Sequence, residues 1–151
     1  MRMGRAAADV GIGSAAGLAG TAASTASPML ESKLRGRGES QAPAEAAQKA
    51  LGVEATSEQS RARFSTLVHW AHGAGWGAAR GLLDAAGLAP AAATATHAAL
   101  LWGTEQAMLP SLKLAPPPTE QNAAEPAVDG AHHLLYAVAT GAAYARLSRD
   151  L

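Results

Sequence analysis

The chain of 151 residues balances 12 Lys and Arg against 12 Asp and Glu, contains no cysteine, and is 48% hydrophobic. Alanine accounts for 40 of those residues, whereas Leu, Ile, Val and Phe together number 24, below the roughly 20% share of ordinary globular domains. So few large side chains, each worth about 1.5–3 kcal/mol on full burial, argue against a water-soluble core. Zero net charge excludes both a phosphate-driven nucleic-acid binder and disorder by charge repulsion, and the lack of cysteine excludes disulfides, thiolate nucleophiles and cysteine-held metals.

What remains is a single helical domain of small residues over 1–151, placed in a lipid bilayer. Met1 to Arg5 opens a small-residue run without the Leu-rich core of a signal peptide, so the run reads as a retained first helix. Val10 to Leu30 is free of formal charge and is bracketed by Arg2 and Arg5 before it and Lys33, Arg35 and Arg37 after it. A helix of that length spans about 30 Å, the thickness of a hydrocarbon core. A polar connection, 31–63, follows; within it Pro43 to Leu51 reads as a short surface helix with a proline near its start. The second long segment, about 64–83, carries Trp70 and Trp76, which stand close to two turns apart and are expected to point the same way. Ala85 to Gly87 and Pro90 mark a short turn. The third segment, about 91–109, carries Trp102 and Glu105 and ends before Pro110. Residues 110–127, with three consecutive prolines from Pro116, form a second polar connection that cannot be helical. The fourth segment, about 128–147, starts with Asp129 and ends with Arg146, an order that suits the helix dipole.

The expectation is therefore all-α: a four-helix transmembrane bundle with a polar loop carrying a short surface helix between helices 1 and 2. A mean hydropathy of only +0.02 gives this weak support, because Ala and Gly add little to insertion. Packing supplies more. Gly13, Gly17 and Gly20 on the first segment, and Gly73 and Gly77 on the second, set small residues at helical spacing and allow close helix approach in lipid. If four helices cross, the side holding the two long connections carries seven Lys or Arg against five on the side of the termini, which favours cytoplasmic long connections.

The stretch Val68-His69-Trp70-Ala71-His72-Gly73-Ala74-Gly75-Trp76-Gly77-Ala78-Ala79-Arg80-Gly81 is the most distinctive in the chain. Its His-Trp, Trp-Gly and Arg-Gly pattern resembles the YagU-like family of small bacterial inner-membrane proteins. Glu31, the run Gly36-Arg37-Gly38-Glu39-Ser40, Asp129, His132-His133-Leu134-Leu135-Tyr136-Ala137 and Thr140-Gly141 extend the resemblance in the same order. The chain departs from the family by its alanine content and by Ala137, where glycine is common. The resemblance implies a multi-pass protein of the bacterial plasma membrane with four helices, and brings no reaction with it.

Ionisable side chains inside a bilayer are costly and so mark candidate sites. His69 and His72 are three residues apart on one helix face, as are Asp129 and His132. Together with Glu105 and Glu31 they define a candidate intramembrane polar cluster drawn from four helices. Mutual hydrogen bonding within the bundle is the plain reading of that cluster. A metal held by His69, His72, Asp129 and His132 is a second reading, and a proton relay a third. Arg80 and Asp84, four apart, are expected to pair at the membrane edge. Gly11-Ile12-Gly13 follows no strand, so no dinucleotide loop is assigned, and no nucleophile elbow or catalytic triad is present. No cofactor, nucleic-acid partner or enzymatic activity is assigned. The expected role is a structural or interaction component that packs against itself or a larger membrane complex; proton- or solute-linked transport through intramembrane His and Glu, or metal binding, are the alternatives.

Overall fold

A computed structural model describes residues 3–35, 42–53, 57–122 and 124–149, with side chains over 4–26, 44–53, 57–122, 124 and 126–149. The described residues form five helices and no strand: α1 (Met3–Arg35), α2 (Ala42–Leu51), α3 (Glu58–Ala85), α4 (Pro90–Ser111) and α5 (Ala124–Leu147). Every long helix outruns the charge-poor stretch that predicts it. Lys and Arg are good helix formers, so a change from apolar to charged residues need not end a helix. By hydropathy, none of these helices is long and apolar enough to cross a membrane.

Local chemistry sets most of the ends. Ser57 caps α3 in a reciprocal box, its Oγ accepting from the Ser60 backbone N–H at 3.2 Å while Ser60 Oγ accepts from the Ser57 N–H at 3.0 Å. Gly87, at φ +83°, turns the chain between α3 and α4, and Pro90 opens α4, where a missing N–H costs nothing. Pro110 does not stop α4; the helix continues through it to Ser111. The stop is Lys113, at φ +57°, with Lys113 N–H donating to the Pro110 carbonyl at 2.9 Å and Leu114 N–H to the Leu109 carbonyl at 2.9 Å. This is a left-handed helix end built without glycine. Lys49 of α2 donates to the Leu112 carbonyl beside it.

The four long helices run up and down. Asp9, near the start of α1, meets Gly81 near the end of α3 and Tyr144 near the end of α5. Thr94 of α4 meets Gly141, and Trp102 meets Gly130, so α4 and α5 are also antiparallel. α1 packs against both α3 and α5, and most extensively against α3. Its seam with α3 is built from backbone. A Cβ added at Gly17 would lie 2.8 Å from the Gly77 Cα, and one added at Gly13 would lie 2.8 Å from the Gly81 nitrogen. Neither leaves room for an alanine. Gly20 faces Thr140 and Tyr136 of α5 instead.

Candidate functional site

The interior of the bundle is polar where a globular core would be aliphatic. Its most completely buried larger side chains are Arg80, His97, Thr21 and Thr140. Gly, Ala and Thr line the crossings because nothing bigger fits, and the space between α1, α3, α4 and α5 is taken by tyrosines and ionisable groups.

At one end of this interior, Arg80 pairs with Asp84 one turn along α3, and its guanidinium lies 5.0 Å from the centre of the Tyr144 ring. Tyr144 donates from its hydroxyl to Asp9 Oδ1 at 2.9 Å. The pair expected at an exposed edge thus involves a buried arginine, 1% exposed, tied through an aromatic ring to a buried carboxylate on α1. Midway along, His97 packs between the rings of Trp76, at 6.2 Å, and Tyr136, at 5.6 Å. Both His97 ring nitrogens are buried without a hydrogen-bond partner among the described residues. The Tyr136 hydroxyl donates to the Gly73 carbonyl at 2.6 Å, joining α5 to the glycine seam.

A second polar centre lies between α4 and α5. Trp102 Nε1–H and Gln106 Nε2–H both donate to Asp129 Oδ2, each at 3.1 Å. His133, one turn beyond Asp129, places Nδ1 2.8 Å from the Asp129 backbone carbonyl and presses Nε2 against Glu105 Oε2. Glu105, Asp129 and His133 are each half-buried, and one ligand atom from each lies within 4.8 Å of the others.

The six residues of the predicted cluster are divided. Glu105 and Asp129 meet. His72 is exposed, beside Trp76, yet within electrostatic range of Glu105 and His133. His69 is engaged elsewhere, its Nε2 2.9 Å from Thr25 Oγ1 of α1. His132 is half-buried, and among the described residues it does not join Asp129, His69 and His72 in a three-ligand group. The side chain of Glu31 and the run Gly36 to Ser40 fall outside the described residues. Trp70 and Trp76 do not share a direction: Trp70 is exposed while Trp76 packs on His97, because six residues turn a helix through about 600°, leaving them roughly 120° apart.

His133, His97, Asp9 and Tyr144 are the site residues that spacing missed. The signal for His133 was present, since Asp129 and His133 are four apart and a four-residue step shares a face as well as a three-residue step does. His97 had a weaker signal, its four-residue spacing from the apolar Ala93 and Leu101. Comparison with protein-family models, curated proteins and solved structures finds no match to this chain.

Proposed function

We propose that the chain is a small multi-pass membrane protein whose four long helices form a bundle with a polar interior and a lipid-facing exterior. One observation carries this reading. Over 6–26, 64–83, 90–111 and 128–145, no exposed residue bears a formal charge. The exposed positions there include Leu18, Leu67, Trp70, Leu82, Leu100, Trp102, Leu134, Leu135 and Val138, while Asp9 and Arg80 are buried. Water would favour the reverse arrangement; a bilayer favours this one, with charges paired inside and small residues at the crossings. Exposed charge returns at the ends, at Arg5, Arg61, Arg63, Lys113, Arg146 and Arg149. The short motifs that resemble YagU-like inner-membrane proteins agree with the reading. The low hydropathy of the single helices reflects Ala and Gly, and the distribution of side chains around the bundle is what supports lipid contact.

Within that reading the protein is a structural or interaction component. Gly13, Gly17 and Gly20 of α1 are spent inside the chain on α3 and α5, so these three do not serve assembly with a second copy or a larger complex. The outer face of α4 supplies a surface for that assembly, with Ala95, Ala99, Gly103 and Ala107 exposed at four-residue spacing. In the test, membranes holding the expressed protein are washed with alkaline carbonate, and the protein is then extracted in detergent and reconstituted in vesicles of brominated phospholipid. Retention in the pellet and quenching of Trp fluorescence are expected, through the exposed Trp70 and Trp102. Release by carbonate, with no quenching, would overturn the reading.

A further inference from the structure

The centre between α4 and α5 has more negative charge than its neighbours balance. Glu105 and Asp129 face each other across the seam, and no Lys or Arg forms an ion pair with either among the described residues. His133 is the basic group that pairs with both of them. A neutral imidazole leaves two full negative charges in a half-buried space, and an imidazolium leaves one.

The hydrogen bonds around the three side chains are arranged as an outer shell. His133 Nδ1–H donates to the Asp129 backbone carbonyl at 2.8 Å, which turns Nε2 toward Glu105. Metal-bound histidines are commonly held this way. On Asp129, the indole of Trp102 and the amide of Gln106 both donate to Oδ2, while Oδ1 lies 3.5 Å from His133 Nδ1. Gln106 Oε1 is buried without a hydrogen-bond partner among the described residues, an unspent acceptor beside the group. His133 Nε2 and Glu105 Oε2 stand directly against each other. Such an approach is stable only with a proton or a cation between them.

We infer that Glu105, Asp129 and His133 form a binding site for one first-row divalent cation of the zinc type, with three protein ligands and a remaining position for water. One nitrogen and two carboxylate oxygens are a borderline donor set that suits Zn²⁺, Mn²⁺ or Fe²⁺. The ion's two positive charges cancel the two carboxylates with the imidazole neutral, which the bare Glu105–His133 pair does not achieve. The inference is independent of where in the cell the protein resides, because the ligands and their outer partners all belong to α4 and α5.

The experiment uses the 151-residue chain, purified in mild detergent, stripped with EDTA and dialysed against Zn²⁺ or Co²⁺. One Zn²⁺ per chain is expected, with Co²⁺ giving visible absorption bands and shifting the emission of Trp102. His133→Ala and the near-isosteric Glu105→Gln should each weaken Zn²⁺ binding at least tenfold and abolish the Co²⁺ bands, with helical content by circular dichroism unchanged. His132→Ala should bind within threefold of the unaltered chain. Failure of the unaltered, helical chain to take up stoichiometric Zn²⁺ or Co²⁺ overturns the site, leaving a simple Glu105–His133 ion pair. Unchanged affinity in Glu105→Gln overturns it too, and equal loss in His132→Ala overturns the choice of His133.

Discussion

The seam between α1 and α3 and the seam between α4 and α5 join helices of similar composition by opposite means. In the first, Gly13 and Gly17 lie directly on Gly73, Gly77 and Gly81, and the contact is backbone on backbone. In the second, Trp102, Glu105, Gln106, Asp129 and His133 fill the space with hydrogen-bonded side chains. A glycine seam gains dispersion contact and weak Cα–H···O bonding at no side-chain entropy, but tolerates no added atom. A polar seam tolerates changes of size and depends on complete pairing. The glycine seam therefore sets the shape of the bundle, and the polar seam is where chemistry can be placed.

The sharpest way to break the first seam is Gly17→Leu. Its Cβ alone would lie 2.8 Å from the Gly77 Cα, with backbone that cannot yield without separating the helices. A loss of about 3 kcal/mol or more is expected from such overpacking, seen as a collapse of the thermal unfolding midpoint in detergent. The same change at the exposed Gly103 of α4, where an added Cβ meets nothing within 4 Å, should leave the midpoint intact and lower only self-association by cross-linking. If Gly17→Leu unfolds at the normal temperature, the backbone seam described here is wrong.

Tyr144→Phe probes the side-chain mode of joining. It removes the hydroxyl that donates to Asp9 Oδ1 and leaves a buried carboxylate short of one partner, while the ring over Arg80 remains. About 1.5–3 kcal/mol of stability should be lost, as for hydrogen bonds to charged groups. Tyr136→Phe, whose lost acceptor is the neutral Gly73 carbonyl, should cost about 1 kcal/mol on the same measure. Equal effects from the two variants would show that the Asp9 contact carries no charge-assisted component.

The smallest expected effect has the opposite sign. Gly75 and Gly77 are two residues apart on α3, yet an added Cβ at Gly75 meets nothing within 4 Å, whereas at Gly77 it would come within 2.6 Å of the Gly17 Cα. Gly75→Ala should stabilise the helix by about 0.5–1 kcal/mol, the ordinary gain from replacing a helical glycine. Gly77→Ala should destabilise it. A rise in unfolding temperature for both would place the α1–α3 contact on another face.

Much of the fold is legible in the sequence. The four long helices follow from uninterrupted small-residue stretches, and the short α2 from Pro43 and its amphipathic spacing. Gly13, Gly17, Gly73 and Gly77 declare themselves by recurring every four residues. The ends were less legible, since α1 runs on into charged residues and α4 passes Pro110 to stop at the left-handed Lys113. At the candidate site, Glu105 and Asp129 stood out as carboxylates in apolar surroundings. The neighbouring imidazoles His132 and His133 could not be separated, because three-residue and four-residue steps share a face equally well. Arg80 looked like an edge residue, since nothing in its local sequence announces Tyr144, 64 positions on.

Composition and periodicity thus carried the helices and the small-residue faces, properties that depend on residues within a turn or two of each other. Which glycine face meets which helix, which of two adjacent histidines joins Glu105, and the burial of Arg80 rather than its exposure depend on pairing between segments remote in the chain. Those outcomes are settled by how four helices share one interior, where a rotation of about 100° per residue decides whether a side chain faces a partner or the surroundings.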